Sequence, residues 1–223
     1  MTKRILSLDS FKAISAFMII FLHYGVAGAG IINAYFRIAV LFFFMVSGYF
    51  LYSVENGVII KKGIKALRKI TKIYLIVLGA LIVKSAAMNL VKGNSNKLIN
   101  ALTSKEFIFF NFNFASYLWF LRALIYVYIV ILSMFWIIRD KKFAERIIFV
   151  ISTLLIIASV IFCKYAQVFG INISPDAYEI PCKFLSVAFG GFGIGFFVGK
   201  YQEYINDKVK VSAAYFLVTW GGG

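Results

Sequence analysis

Lys12 and His23 are the residues of this chain whose types and spacing most clearly suggest chemistry. His23 is the single histidine among 223 residues, and it lies in a long apolar run. At 3.6 residues per helical turn, the step from Lys12 to His23 returns to within about 20° of one face and rises about 16 Å. Because ionisable groups are costly at membrane depth, we predict a functional role for both residues. The alternative is that they only mark a polar helix interior.

Asp9 does not complete a catalytic pair with His23. It lies on roughly the same helix face but about 21 Å lower, so its carboxylate cannot orient the imidazole ring. Any orienting partner of His23 must therefore come from another helix.

Three further cations, Arg37, Lys84 and Arg122, fall in the outer halves of apolar segments. Arg139 lies at the inner end of the segment that contains Arg122, and the helix rises about 25 Å between the two residues. With His23 these cations could line an aqueous cavity that opens outward. Alternatively, Arg37 snorkels to the nearby surface and Arg122 has a buried structural role. Guanidinium is suited to bind phosphate, carboxylate or an oxyanion.

Ser47 and Gly48 add a hydroxyl and a small residue late in the second apolar segment. A nucleophilic role for Ser47 would need a base within hydrogen-bond reach, whereas small residues also let helices approach closely. Later glycines resemble a phosphate-binding loop only superficially, because no strand precedes them, so they predict close helix packing. These glycines are Gly190, Gly191, Gly193, Gly195 and Gly199.

The composition identifies the environment in which these residues act. Hydrophobic residues make up 62% of the chain and charged residues only 15%, which is typical of a multi-spanning membrane protein. The net charge of +15 comes from cations in short connectors rather than on an amphipathic face, so we expect no nucleic-acid partner. Cys163 and Cys182 form no metal-binding pattern, and we expect no metal.

We predict an all-α, polytopic bundle of transmembrane helices with six full spans and the start of a seventh. A span needs about 20 apolar residues. The Gly28, Gly30 and Asn33 cluster predicts a tight turn into the second span. The predicted spans are residues 11–32, 34–54, 70–91, 114–138, 147–165 and 183–199, and the seventh begins near residue 211.

Cations concentrate on alternate connectors, which predicts that these connectors and the amino terminus are cytoplasmic. The cytoplasmic mouth of the bundle would then carry a group of cations, namely Lys12, Lys65, Arg68, Lys69 and Lys72. Ordinary positive-inside topology explains most of this inner group, and donor binding is the functional alternative. The predicted location is the cell membrane.

Several motifs together resemble the integral-membrane acyltransferase 3 family. The opening LDSFKAISA followed by His23 is similar to that family's first-helix signature, although Lys12 stands where arginine is usual. The run FFMVSGY at 43–49 resembles the second-helix motif, and LWFLRAL at 118–124 resembles a later one. Arg68 and Lys69 look like the basic start of the third helix, without the proline often found there. Residues 189–200 resemble the later glycine-rich helix.

The resemblance implies a membrane acyltransferase that uses cytosolic acyl-coenzyme A, most plausibly acetyl-coenzyme A, as co-substrate. The acceptor would be a hydroxyl, or an amine, of a cell-envelope glycan or related molecule. His23 would be the general base, and Arg122 would stabilise the oxyanion or hold the acceptor. Donor or substrate binding is expected of Lys12, Arg68, Lys69, Ser47 and Arg37.

Residues 1–223 read as a single acyltransferase domain. Members of this family usually have about ten spans, so the resemblance and the abrupt ending at Trp220 and three glycines predict a truncated domain. A frayed or engineered end is the alternative. Two other functions stay open: a transporter or flippase fragment that binds an anionic solute, and a membrane module that senses a ligand without chemistry. The sequence predicts neither the oligomeric state nor the acceptor.

Overall fold

The computed structural model describes residue 14, residues 30–91, 118–164 and 187–202, and residue 204. Within these ranges the chain is helical and has no strand, which confirms the all-α class. Lys12 and His23 lie outside the described residues. The five main helices described are α1, Gly30–Leu51; α2, Asn56–Val91; α3, Trp119–Ile137; α4, Lys141–Lys164; and α5, Gly191–Lys200.

Residue pairings show that consecutive helices alternate in direction. Antiparallel α2 and α3 bring Tyr74 against Arg122 and Gly63 against Leu132. Helix α1 runs parallel to α5, since positions 41, 45 and 49 of α1 meet positions 191, 195 and 199 of α5. The ends of α1, α3 and α5 therefore lie with the starts of α2 and α4, and we call this the basic end of the bundle.

A stripe of glycines allows α1 and α5 to touch along their backbones. Gly191, Gly195 and Gly199 recur every fourth residue, so they form one face of α5. A Cβ atom at Gly195 would overlap the carbonyl oxygen of Met45, and one at Gly48 would overlap that of Phe192. Close helix packing, predicted from the glycines, is confirmed. This is the small-residue packing typical of membrane helices, where apolar surface is not expelled by the solvent.

Aromatic rings fill the space beside the glycine contact. Phe196 is fully buried and meets Tyr52 edge-on, with ring centroids 5.3 Å apart. The centroid of the Phe196 ring also lies 5.9 Å from that of Phe135. Phe192 meets Tyr128 edge-on at 5.2 Å. Edge-to-face contacts of this kind favour one arrangement of the rings, so they lock α3 against the joined pair of α1 and α5.

Large apolar side chains also face outward, away from the core. Helices with apolar residues on all sides belong in a large core or in lipid. In the described ranges, Asn56–Met88 and Trp119–Ile137 are long and apolar enough to cross a membrane, and Ala39–Leu51 and Val187–Lys200 are shorter apolar helices. The outward residues include Leu75, Ile76, Val83, Ile129, Trp136, Phe149 and Leu154.

Three predicted boundaries lie inside longer helices, and one of them is that of α4, which begins at Lys141 rather than near residue 147. Asn33 lies inside α1 rather than in a turn, because α1 already begins at Gly30. Helix α2 begins at Asn56 rather than near residue 70, because its cationic first turns still bury Ile59 and Gly63 against the bundle. Lysine and arginine also favour helix, so a basic connector need not be a loop. The six predicted full spans remain a prediction beyond the helices described above.

Replacing Gly195 with alanine is expected to lower the free energy of unfolding by about 1–3 kcal/mol, because the new methyl group must displace backbone rather than a flexible side chain. The matched control is Gly79→Ala on α2, where an added Cβ atom would meet no atom within 4 Å beyond its own stretch of helix. The control should be neutral or stabilising by about 0.5–1 kcal/mol. Thermal unfolding of both variants in detergent micelles, followed by circular dichroism, measures the difference. Equal stability of the two variants would contradict the backbone contact.

Candidate functional site

Arg122 is buried in the first turn of α3 and is held by a side chain of α2. Only 8% of Arg122 is exposed. Its Nε donates a hydrogen bond to the hydroxyl oxygen of Tyr74 at 3.0 Å, and its second terminal nitrogen donates to the same oxygen. The guanidinium carbon also lies 5.5 Å from the centre of the Tyr74 ring. Arg122 is therefore buried, which agrees with the alternative of a structural role, and its role as oxyanion stabiliser stays a prediction.

The sequence contained a signal for Tyr74 that reasoning on motifs missed. Tyr74 continues the helical spacing of the α2 residues that pack towards α3, and it is the polar side chain of that face. Together with Leu118 it forms a small buried cluster of apolar side chains between α2 and the start of α3. The apolar members packed on this cluster are Val77, Leu78, Leu81, Leu121 and Ile125.

Lys69 belongs to a small basic cavity, whereas Arg68 does not. Lys62, Lys65 and Lys69 share one face of α2 and line an open cavity of about 250 Å³ together with Phe50 and Tyr128. We call this cavity the lysine groove. Arg68 is exposed on another face of α2. The structure therefore brings Lys69 together with Lys65, which was predicted for the same mouth, and with Lys62, and it separates Arg68 from them.

The hydroxyl of Ser47 bonds to its own helix. Its Oγ donates to the carbonyl oxygen of Phe43 at 2.8 Å, a bond one turn back along α1. The carbonyl oxygen of Ser47 accepts a longer hydrogen bond, 3.5 Å, from the hydroxyl of Tyr128. In this arrangement Ser47 links α1 to α3, and a role in substrate binding stays a prediction.

The remaining predicted site residues are not brought together by the described part of the chain. Arg37 lies on α1, but its side chain is outside the described set. Lys84 is exposed on α2. Lys12 and His23 lie outside the described residues, so the outward cavity remains a prediction. Among the residues that the structure covers, no group of three histidine, cysteine or acidic side chains could hold a metal ion.

Glu145 forms an ionic cluster at the basic end. This carboxylate is only 4% exposed and lies 2.6 Å from Lys200 Nζ and 3.2 Å from Lys141 Nζ, the latter without hydrogen-bond geometry. Burial alone would lower the pKa of Lys200, but the hydrogen bond and the charge of Glu145 outweigh it and leave that pKa raised. Lys141 also donates to the carbonyl oxygen of Val54 at 2.8 Å. The i, i+4 spacing of Lys141 and Glu145 was the available sequence signal.

Replacing Tyr74 with phenylalanine is expected to lower the free energy of unfolding by about 1–3 kcal/mol, because a buried charged donor loses the hydroxyl that accepts two of its N–H groups. Tyr49→Phe is the control, since the Tyr49 ring packs edge-on against Phe50 at 5.2 Å and keeps that contact without its hydroxyl. Thermal unfolding in one detergent compares the two. A Tyr74→Phe protein as stable as the control would show that the hydroxyl does not support Arg122.

Comparison with known proteins identifies the family to which this sequence belongs. A family model described as an acyltransferase domain matches residues 5–223. No curated protein and no solved structure matches the chain significantly. Family membership and the apolar outer faces both indicate a membrane protein. Because the match covers nearly the whole chain, the protein belongs to the acyltransferase 3 family and is a membrane acyltransferase.

Proposed function

We propose that the protein transfers an acyl group, most simply acetyl, from cytosolic acyl-coenzyme A to a hydroxyl of a cell-envelope glycan or a related acceptor. The family match supports the reaction class. The observation that carries the finer proposal is the arrangement of α2, which presents the lysine groove near the basic end and the buried Tyr74–Arg122 pair further along the same helix.

The lysine groove has the chemistry that coenzyme A phosphates require. Three ammonium groups on one helix face supply positive charge, and Phe50 and Tyr128 supply an apolar wall. Positive-inside topology would put the basic end in the cytosol, where the donor is available. Lys12 and Arg68 would add charge at the same mouth.

His23 and the Tyr74–Arg122 pair would lie at a similar depth from this mouth, each measured along its own helix. From Lys62 to Tyr74 the rise along α2 is about 18 Å, and from Lys12 to His23 the rise along the first predicted span is about 16 Å. A donor whose phosphates stay at the mouth would therefore bring its thioester to the depth of both His23 and Arg122.

The transfer itself needs one proton acceptor and one stabiliser of negative charge. In the proposed step His23 takes the proton of the acceptor hydroxyl while the hydroxyl oxygen forms a bond to the thioester carbonyl carbon. The carbonyl oxygen becomes negative, and Arg122 would stabilise it. The carbon–sulfur bond then breaks, His23 returns the proton to the leaving thiolate, and the products are an ester and free coenzyme A. Arg37 and Ser47 would contact the acceptor.

Replacing His23 with alanine is expected to reduce acyl transfer at least about 100-fold, because the step loses its general base. The measurement uses membranes that contain the full chain, radiolabelled acetyl-coenzyme A, and recovery of label in envelope glycans. Gly79→Ala serves as the control, since that position meets no neighbouring atom. Membrane insertion of both variants should be equal. Retained acylation would remove His23 from the mechanism, and solute uptake without a labelled product would favour the transporter alternative.

Replacing Lys69 with glutamine is expected to raise KM for acetyl-coenzyme A about tenfold with little change in kcat, because one charge-assisted contact to phosphate is lost. Lys61→Gln is the matched control, an exposed lysine of α2 outside the groove lining. Initial rates at varied donor concentration separate KM from kcat. An equal KM in both variants would show that the lysine groove does not bind the donor.

A further inference from the structure

A second, larger cavity at the basic end combines a charged rim with aromatic walls. It is open, has a volume of about 1080 Å³ and lies between the start of α4 and the ends of α1 and α5. It shares no lining residue with the lysine groove. We call it the basic-end cavity, and its rim carries the cations Lys141, Lys142, Arg146 and Lys200.

The charge of this rim favours an anion. Its acidic residues are Asp140 and Glu145, and the Glu145 carboxylate is taken up by the flanking Lys141 and Lys200. Lys142 and Arg146 are exposed and lie one turn apart on α4, so both can reach the same group. A phosphate offers the several acceptor oxygens that an arginine and a lysine can share.

An apolar groove continues from the basic-end cavity between α4 and α5. It has a volume of about 280 Å³ and is lined by Ile156, Gly193, Ile194 and Val198 among others. Phe149, Phe197 and Tyr201 line both spaces, so a single elongated molecule can occupy the two together. We call this space the α4–α5 groove. At its wall Gly193 lets the Ser152 side chain pack directly against the backbone of α5, because a Cβ atom there would overlap the serine side chain.

Ser152 lies at the wall of the α4–α5 groove, but its hydroxyl does not face the open space. The serine is 3% exposed, and its Oγ lies against Gly193 of α5. The groove therefore offers an occupant a mainly apolar lining, which suits a hydrocarbon chain.

We propose that the basic-end cavity and the α4–α5 groove together bind one anionic phospholipid. Its phosphate would lie against Lys142 and Arg146, and one acyl chain would fill the groove. A soluble anion would use the rim but gain nothing from the apolar groove, and a zwitterionic lipid would gain less from the rim. Basic pockets between membrane helices recognise anionic headgroups in this way.

The headgroup half is tested by native mass spectrometry of the purified full chain in detergent containing equal amounts of phosphatidylglycerol and phosphatidylcholine. Wild-type protein should retain phosphatidylglycerol preferentially. The double variant Lys142→Gln and Arg146→Gln should retain it at least about tenfold less, since each cation contributes roughly fivefold to anionic lipid binding. Lys61→Gln with Lys72→Gln removes the same charge from exposed positions of α2 and should retain the wild-type level. Equal losses in both double variants would overturn the site.

The chain half is tested by filling the groove. Ile194→Trp should displace phosphatidylglycerol, whereas Val83→Trp, at an outward position of α2, should not. Retention unchanged by Ile194→Trp, together with displacement of the lipid by inorganic phosphate or acetyl-coenzyme A, would identify a soluble anion as the occupant and overturn the proposal.

Discussion

The contact between the backbones of α1 and α5 is the constraint on which the described structure depends. Water supplies no force that drives membrane helices together, so close van der Waals contact must do so, and only glycine permits it here. Gly48 and Gly195 bring the two helices to that distance. This contact fixes the positions of the Phe192 and Phe196 rings, and α3 packs on them. Gly193 likewise lets the Ser152 side chain of α4 approach the backbone of α5 closely.

Two buried charges are stabilised differently at the two levels of the bundle. Near the basic end Glu145 lies between two ammonium groups, and these have access to water. Deeper in the bundle Arg122 is oriented by the hydroxyl of Tyr74 within an apolar cluster. A guanidinium cannot be made neutral by burial, so it needs fixed acceptors at that depth. In the proposed mechanism, this fixed orientation would let Arg122 stabilise the developing negative charge.

Sequence reasoning predicted features that depend on depth and residue size. The helical class, the packing role of the glycines and the buried alternative for Arg122 follow from spacing and composition alone. Side-chain partners such as Tyr74 and Glu145 were missed, because a partner is decided by which helices become neighbours. The start of α2 was misplaced because its lysines were assigned to a connector, although they lie on a helix that buries Ile59. Roles for Lys12 and His23 stay predictions.

The parallel pairing of α1 and α5 also has a consequence for how the chain is assembled. A ribosome completes α1 long before α5, and residues 52–190 emerge between them. Throughout that interval α5 is not yet there to fill the notch around Gly48. Among the described helices, the backbone contact of α1 with α5 can therefore form only after α2, α3 and α4 have been synthesised.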